Sequence, residues 1–586
     1  MKRIWLIILA FLIVLAVPVF ASMEPVLVSE MHVEVSQDVR ISSTGNVNEL
    51  EVKVMIPQED AFQKVESISV SEPYEFVTDG YGNRMVKVIL SGPKPVETLT
   101  IKSTVTVLRR NTATLPDLAA FSKPNGLVQS DDKEIADLAA MITAGEAGDF
   151  ERAATVAQWV NENIKYDLAY ADANLSAKTA LKNRAGVCDE FSALTMALLR
   201  SIGYKAGYIV GYAYGRGYTV ADDFVAHGWA EACSGKNCWP IDPTWGEAGW
   251  LDATHIKFAT LPETYYVEAT TSAKGSGQIA VKMDSVKTKI TILDSKEEPL
   301  FKATETLLDD SVWNGYAVTR TDLTMDGCAY TKIRYGGCLW EKGTFLVPQK
   351  NETSIVFCNK GTAFMPFKIP DDMGETTVYT CGLIAAPQGG EQQTVEAAID
   401  PREKNAERPA LSVDRTAVKP GEKVEATATG TQIFTSNGLY GTDKLTVVAP
   451  ARDFTIYAYR NGQMAWQAVS VAENRPLDIT VEAPESAGYG EAINVSVRVK
   501  NIDTTERSVN VRLGEQTATK NIGAGKSETF AFTTTAQENT IQAFVETDGF
   551  STSASAPITV LMPEKNILEQ IMAAIMEWLD SMFGVK

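Results

Sequence analysis

The sequence predicts a multidomain chain in which one α+β domain is flanked by several β-sandwich modules of immunoglobulin-like style, with an amphipathic helix at the C-terminus. Three observations predict it. First, 586 residues exceed what a single hydrophobic core sustains, and at roughly 150 residues per domain imply about four units. Second, apolar residues alternate with polar ones over most of the length, as in half-buried strands. Third, between Leu115 and Tyr265 that period gives way to helical spacing before alternation returns.

The composition narrows the function classes. Apolar residues make up 45% and charged residues 22%, a globular balance that argues against wholesale disorder and against a polytopic membrane protein. The 54 basic and 74 acidic side chains leave a net charge of −20. A phosphate backbone is repelled by such a chain, so no nucleic-acid partner is expected.

Residues 1–22 carry Lys2 and Arg3, an apolar run from Ile4 to Phe20, and the small residues Ala21 and Ser22. That layout is a secretory signal peptide. An uncleaved N-terminal anchor, giving a membrane tether, is the competing reading, and 17 apolar residues are short for a bilayer span. Both readings put the rest of the chain outside the cytoplasm, secreted or at the cell surface. The cysteines agree. Cys188, Cys233, Cys238, Cys328, Cys338, Cys358 and Cys381 are seven, and an oxidising compartment favours pairing, so one thiol is left over. Cys233 and Cys238 can close a small loop. Cys328, Cys338, Cys358 and Cys381 form two bridges of open connectivity. Their wide spacing lacks a zinc knuckle, which ranks metal well below disulfide. Cys188 remains.

The elements follow in order. Residues 23–112 read as a β-sandwich, with Leu50, Val52, Val54 and Ile56 alternating, then Leu99, Ile101, Val105 and Val107. Residues 113–270 form the α+β domain. Ile135, Leu138 and Ile142 share a helical face behind a cap at Asp131 and Glu134; Ala153, Val156, Val160 and Ile164 make a second stripe; a third helix runs from Cys188 to Ile202. Strands follow over Tyr204–Tyr212, around Trp229, and over Trp239–Asp242. Residues 275–400 are a β domain holding the four-cysteine cluster, residues 405–481 an Ig-like β module, and residues 482–561 an Ig-like β-sandwich with Ile493, Val495, Val497 and Val499 in alternation. Residues 563–583 place Ile567, Ile571, Ile575, Trp578, Leu579 and Met582 on one helical stripe. The acidic residues on that segment point to docking or self-association rather than to lipid.

Cys188 follows Ala185-Gly186-Val187 at the start of its helix. The dipole and free N–H groups there favour a thiolate and can hold an oxyanion. Such a thiol needs a base, and the base needs an orienting group. His227 in His227-Gly-Trp-Ala-Glu231 and Asp242 in Ile241-Asp242-Pro-Thr-Trp245 lie on strands expected to be adjacent. Taken singly, the cysteine reads as filler, the histidine as structural and the Asp-Pro as a turn; His32 and His255 are read as structural. Asp222, Asp223 and Glu190 lack the spacing of a calcium loop.

Together, Arg184-Ala-Gly-Val-Cys188-Asp-Glu-Phe, His227-Gly-Trp-Ala-Glu and Ile241-Asp242-Pro-Thr-Trp resemble, in the same order, the three motifs of the transglutaminase-like superfamily. Trp159-Val-Asn-Glu-Asn-Ile-Lys-Tyr166-Asp167 is similar to its upstream segment. The resemblance covers about residues 130–262. It implies a papain-like core with Cys188 as nucleophile, His227 as general base and acid, and Asp242 as the orienting carboxylate. It also implies acyl transfer or hydrolysis on a protein or peptide amide. No cofactor is expected and no metal ligand is assigned, while the calcium requirement stays open. The competing class is a surface adhesion or scaffold protein that keeps this core only as a folding unit.

Overall fold

The computed structural model describes residues 25–561, apart from 172, 216–222, 310–311, 314, 338–346, 349–351, 370–377, 401–407, 436–437, 472–476, 485, 489, 502–504, 515, 537–539 and 548–549. The signal segment, the C-terminal stripe, Cys338 and Asp222 lie outside the described residues. The chain is multidomain and mostly β, with few helices. It separates into two compact units, one made of the chain up to Val128 with Tyr166–Met196 and Lys205–Leu300, the other of Gln129–Lys165, Ala197–Tyr204 and the chain from Phe301.

The first unit opens with β1 (Val28–Met55), β2 (Gln63–Val70), β3 (Tyr74–Thr78), β4 (Arg84–Ser91) and β5 (Val96–Leu108), in the sheet order β2-β5-β1-β4-β3. Val39, Ile41, Leu50, Val52, Val54 and Ile101 point one way and are buried, as the alternation requires.

In the second unit, α1 (Lys133–Ile142) buries Ile135, Ala139 and Ile142 on one face. Its cap is Asp132, whose carboxylate accepts the Glu134 N–H. The sequence pattern had pointed one residue earlier, to Asp131. Next, α2 (Asp149–Asn163) buries Phe150, Ala153, Val156 and Val160.

The chain then builds the site. In the first unit, α3 (Ala177–Asn183) is capped by Ser176 and ends at Arg184, whose φ of 53° turns the backbone into a left-handed step. Four residues later α4 (Cys188–Ser201) begins. Beyond it come β6 (Lys205–Tyr214), β7 (Phe224–Ser234), β8 (Asn237–Asp242) and β9 (Ile256–Leu261). They are antiparallel in the order β9-β6-β7-β8. Cys233 and Cys238 face each other across β7 and β8 and form a disulfide.

Finally β10 (Ala269–Glu297) pairs antiparallel along almost all of β1. Residues 275–297, grouped from sequence with the disulfide-containing domain, therefore complete the N-terminal sheet. Period-two spacing identifies a strand but does not name its partner. Val33, Val105, Val107, Ile256, Phe258 and Ile290 share one cluster, which packs the N-terminal sheet onto β9.

In the second unit, Tyr316–Gly336 pairs with Glu352–Lys368, and Cys328 bonds to Cys358 across that pair. Cys381 is also disulfide-bonded. The segment from Ser412 to Val471 has its own core around Val424, Ile433 and Ile456. Leu477–Leu561 forms two main sheets enclosing Val495, Val497, Val511, Phe530 and Val545.

Candidate active site

Cys188 is the first residue of α4 and the free cysteine of the described chain. Glu190 fixes the approach to it. From within the first turn its carboxylate reaches back to the Val187 N–H at 2.8 Å and takes the Leu175 N–H at 2.6 Å. This is the returning half of a capping box. A Cβ on Gly186 would lie 2.4 Å from that of Glu190, so glycine is needed for the close approach. Both Glu190 oxygens are engaged by backbone, which explains the residue without calcium. Ser192 Oγ donates to the Gly228 carbonyl at 3.3 Å and ties α4 to β7.

His227 lies on β7 and Asp242 ends β8, the adjacent antiparallel strand. Asp242 serves two ends at once. Its Oδ1 accepts the N–H groups of Thr244 and Trp245 at 2.8 and 3.2 Å, closing the Asp-Pro turn. Its Oδ2 lies 2.7 Å from His227 Nε2. Both side chains are buried. Burial alone would raise the Asp242 carboxyl, but the His227 ring beside it and hydrogen bonds from His227 and His255 override this and hold it far below the usual carboxylate range. An ionised carboxylate only accepts, so His227 Nε2 is the donor, and Nδ1 is the ring nitrogen left to face another partner. The Trp245 ring stacks on the imidazole at 4.3 Å and 10° and fixes its plane.

Cys188 and His227 line one cleft of about 490 Å³, walled by Tyr166, Trp245 and Tyr265. The helix start favours a thiolate, yet the thiol behaves otherwise. Burial pushes it well above its ordinary value, and the carboxylate of Asp189 adds to the push. A backbone hydrogen bond from Gly228 works in the opposite direction and loses. The protonated form of the sulfur is therefore the favoured one.

Three residues that motif reading did not single out belong to this site. His255, read as structural, is fully buried and sets its Nε2 3.3 Å from Asp242 Oδ2. Its Nδ1 lies 3.3 Å from the Asp252 carbonyl oxygen. The spacing Asp252-Ala-Thr-His255, in a chain with only three histidines, was the available signal. Asp189 Oδ1 lies 3.6 Å from Cys188 Sγ and accepts the Tyr208 hydroxyl at 2.6 Å. No spacing pattern marks either residue. His32, by contrast, sits between Glu30 and Thr106 at a sheet surface, as a structural residue would.

Two buried triplets bring metal-ligand types within 4.8 Å of one another, His227 with Asp242 and His255, and Glu247 with Asp252 and His255. In the first, the ring nitrogens that face Asp242 are hydrogen-bond partners of its carboxylate, which is not the lone-pair geometry of a ligand.

Residues 136–250 match the model of the transglutaminase-like superfamily. An uncharacterised protein of Mycobacterium leprae (strain TN) is 32% identical over 91 residues, 15% of this chain. The match spans 32% of that relative's length. A structure from Cytophaga hutchinsonii described as a candidate cysteine protease is 20% identical, with a TM-score of 0.36, over 46% of this chain and 93% of that one. A Salmonella alpha-2-macroglobulin variant is 10% identical, with a TM-score of 0.16, over 89% of this chain and 38% of that one. Both TM-scores are too low for a comparison of site geometry. Cys188, His227 and Asp242 all fall inside the matched segment, and the chain carries a transglutaminase-like superfamily domain at residues 136–250.

Proposed function

We propose that this protein is an extracytoplasmic thiol enzyme that transfers or hydrolyses acyl groups of protein or peptide amides through an acyl-thioester on Cys188. The observation that carries the reading is the hydrogen bond between His227 Nε2 and the ionised Asp242, which leaves Nδ1 as the nitrogen to receive a proton, on a ring that shares its cleft with the free thiol. Disulfides in both units suit an oxidising compartment. The flanking β modules serve as Ig-like spacers or docking units.

The steps follow from the groups. Cys188 gives its proton to His227 Nδ1 as its sulfur attacks the carboxamide carbon. The carbonyl electron pair moves to oxygen, where the Cys188 backbone N–H at the helix start stabilises the charge. The intermediate collapses, the C–N bond breaks, and His227 returns the proton to the leaving amine. Asp242 keeps the ring aligned throughout and steadies the imidazolium. A second amine or water then resolves the thioester. No step needs a cofactor.

The test supplies the full chain with a glutamine-bearing peptide and a labelled primary amine, and follows amine uptake and ammonia release. Wild type is expected to produce ammonia, and Cys188→Ala to produce none while keeping its unfolding transition. Equal turnover in the variant removes Cys188 as the nucleophile, and no turnover in wild type leaves the scaffold reading.

A further inference from the structure

Asp189 has no part in the scheme above, yet it stands beside the nucleophile. Its Oδ1 is 3.6 Å from Cys188 Sγ and is held by the Tyr208 hydroxyl at 2.6 Å. That tyrosine is itself buried, and Gly228 leaves the room its hydroxyl occupies. The carboxylate is thus fixed from behind while the residue stays partly exposed at the cleft. Oδ2 makes no hydrogen bond with the described residues. Among the described residues that line the cleft, Asp189 is the one carboxylate. Thr264 offers a second observation. It is 3% exposed, lines the same cleft, and its hydroxyl has no hydrogen-bond partner among the described residues. The side chains of Tyr166, Trp245 and Tyr265 complete the wall. A fixed carboxylate and an unsatisfied hydroxyl in one cleft together suit a cation that carries several N–H donors.

We infer that Asp189 forms a subsite for a primary ammonium next to the reacting carbonyl, so the enzyme selects amine-bearing substrates. The inference rests on the reading of Cys188 as nucleophile. Distance limits the ligand. An ammonium hydrogen-bonded to Asp189 sits within a few ångströms of the sulfur, so it is either the α-ammonium of the residue whose carbonyl is attacked, or the acceptor amine that resolves the thioester. In the second case the ammonium first releases one proton to solvent, and the free amine attacks the thioester carbon; the C–S bond breaks with its electron pair on sulfur, and a second nitrogen proton passes through His227 to that sulfur. In either case the cation offsets the Asp189 charge, which otherwise opposes ionisation of the thiol.

A substrate-independent experiment tests the subsite on the full chain. Cys188 modification rates are measured with 2-aminoethyl methanethiosulfonate, which carries an ammonium, and with neutral methyl methanethiosulfonate. Each rate is divided by that of free glutathione. The corrected rate ratio should favour the cationic reagent by about tenfold or more in wild type and fall toward one in Asp189→Asn, which separates the subsite from the general pull of an acidic protein. A ratio near one in wild type, or a preference that survives Asp189→Asn, overturns the inference and leaves the proposed reaction standing. Cys188 inert to both reagents removes the nucleophile reading, and this inference with it. Substrate arms then identify the source. An aminoacyl amide preferred over its N-acetyl analogue marks the donor's own α-ammonium. Capture of the thioester by n-pentylamine that falls relative to hydrolysis in Asp189→Asn marks the acceptor amine.

Discussion

The Tyr208 hydroxyl lies where a Cβ on residue 228 would fall, only 2.0 Å away, so Gly228 is the residue that lets Tyr208 reach Asp189. Gly228→Ala must push the ring aside, because the ring carbons are also within 2.4 Å of the added atom. Overpacking of this kind costs about 1–3 kcal/mol. The expected result is a lowered unfolding temperature together with changed reactivity of Cys188, measured by calorimetry and by thiol alkylation. Tyr208→Phe keeps the ring and removes only the hydroxyl, so it should change alkylation with a smaller loss of stability.

The raised thiol sets a pH dependence. Burial, then Asp189, disfavour the charged sulfur, so the thiolate appears only as pH climbs past the ordinary thiol value of about 8.5. Iodoacetamide modification of Cys188 in the free protein should therefore keep rising above about pH 9, with no plateau at neutral pH. A plateau near neutrality would mean a preformed thiolate–imidazolium pair. Mass mapping of the alkylated peptide gives the rate for Cys188 alone.

Asp242→Asn tests which nitrogen of His227 is basic. An amide in that place donates to Nε2, moves the ring proton to Nδ1 and removes the acceptor for the thiol proton. Turnover is expected to fall by on the order of 10³–10⁴-fold, mostly in kcat. Stability should change as well. The Asp242 carboxyl is held down in the folded state, so its contribution is present above the unfolded carboxyl range and is lost as pH falls through the folded value. The variant should flatten the acid side of the stability curve, followed by thermal unfolding between about pH 1 and 5.

His255 links Asp242 to Asp252 with no exposure to solvent. His255→Leu leaves Asp242 short of one hydrogen-bond partner in a dry site and should cost about 1–3 kcal/mol, the range for a buried polar group that loses its partner. His255→Gln retains a donor and should recover part of that loss. A positioning role predicts that kcat falls more than KM changes in both variants.

Cys188, His227 and Asp242 were legible as candidates because each sits in a short motif in one order, and because an odd cysteine count singled out Cys188. The Cys233–Cys238 bridge was legible from its spacing, while the partner of Cys328 was not, since it depends on how Tyr316–Gly336 pairs with Glu352–Lys368. His255 escaped because its role comes from a fold that sets β9 near the end of β8. The strand Ala269–Glu297 escaped for a similar reason, as alternation does not reveal that its partner lies more than 200 residues earlier. The thiol's protonation state was misjudged from the helix start alone. A helix dipole is worth about 0.3–1 kcal/mol in ordinary settings, and burial beside a carboxylate outweighs it.

The most direct measurement is the trapping of the acyl-enzyme. The full chain is mixed with a glutamine-bearing peptide, quenched in acid within seconds, digested and mapped by mass spectrometry. The account predicts the peptide's acyl group on Cys188, labile to hydroxylamine as a thioester is, and absent in Cys188→Ala. Turnover of the same peptide with Cys188 unmodified at every quench time and the acyl group on another residue would contradict it.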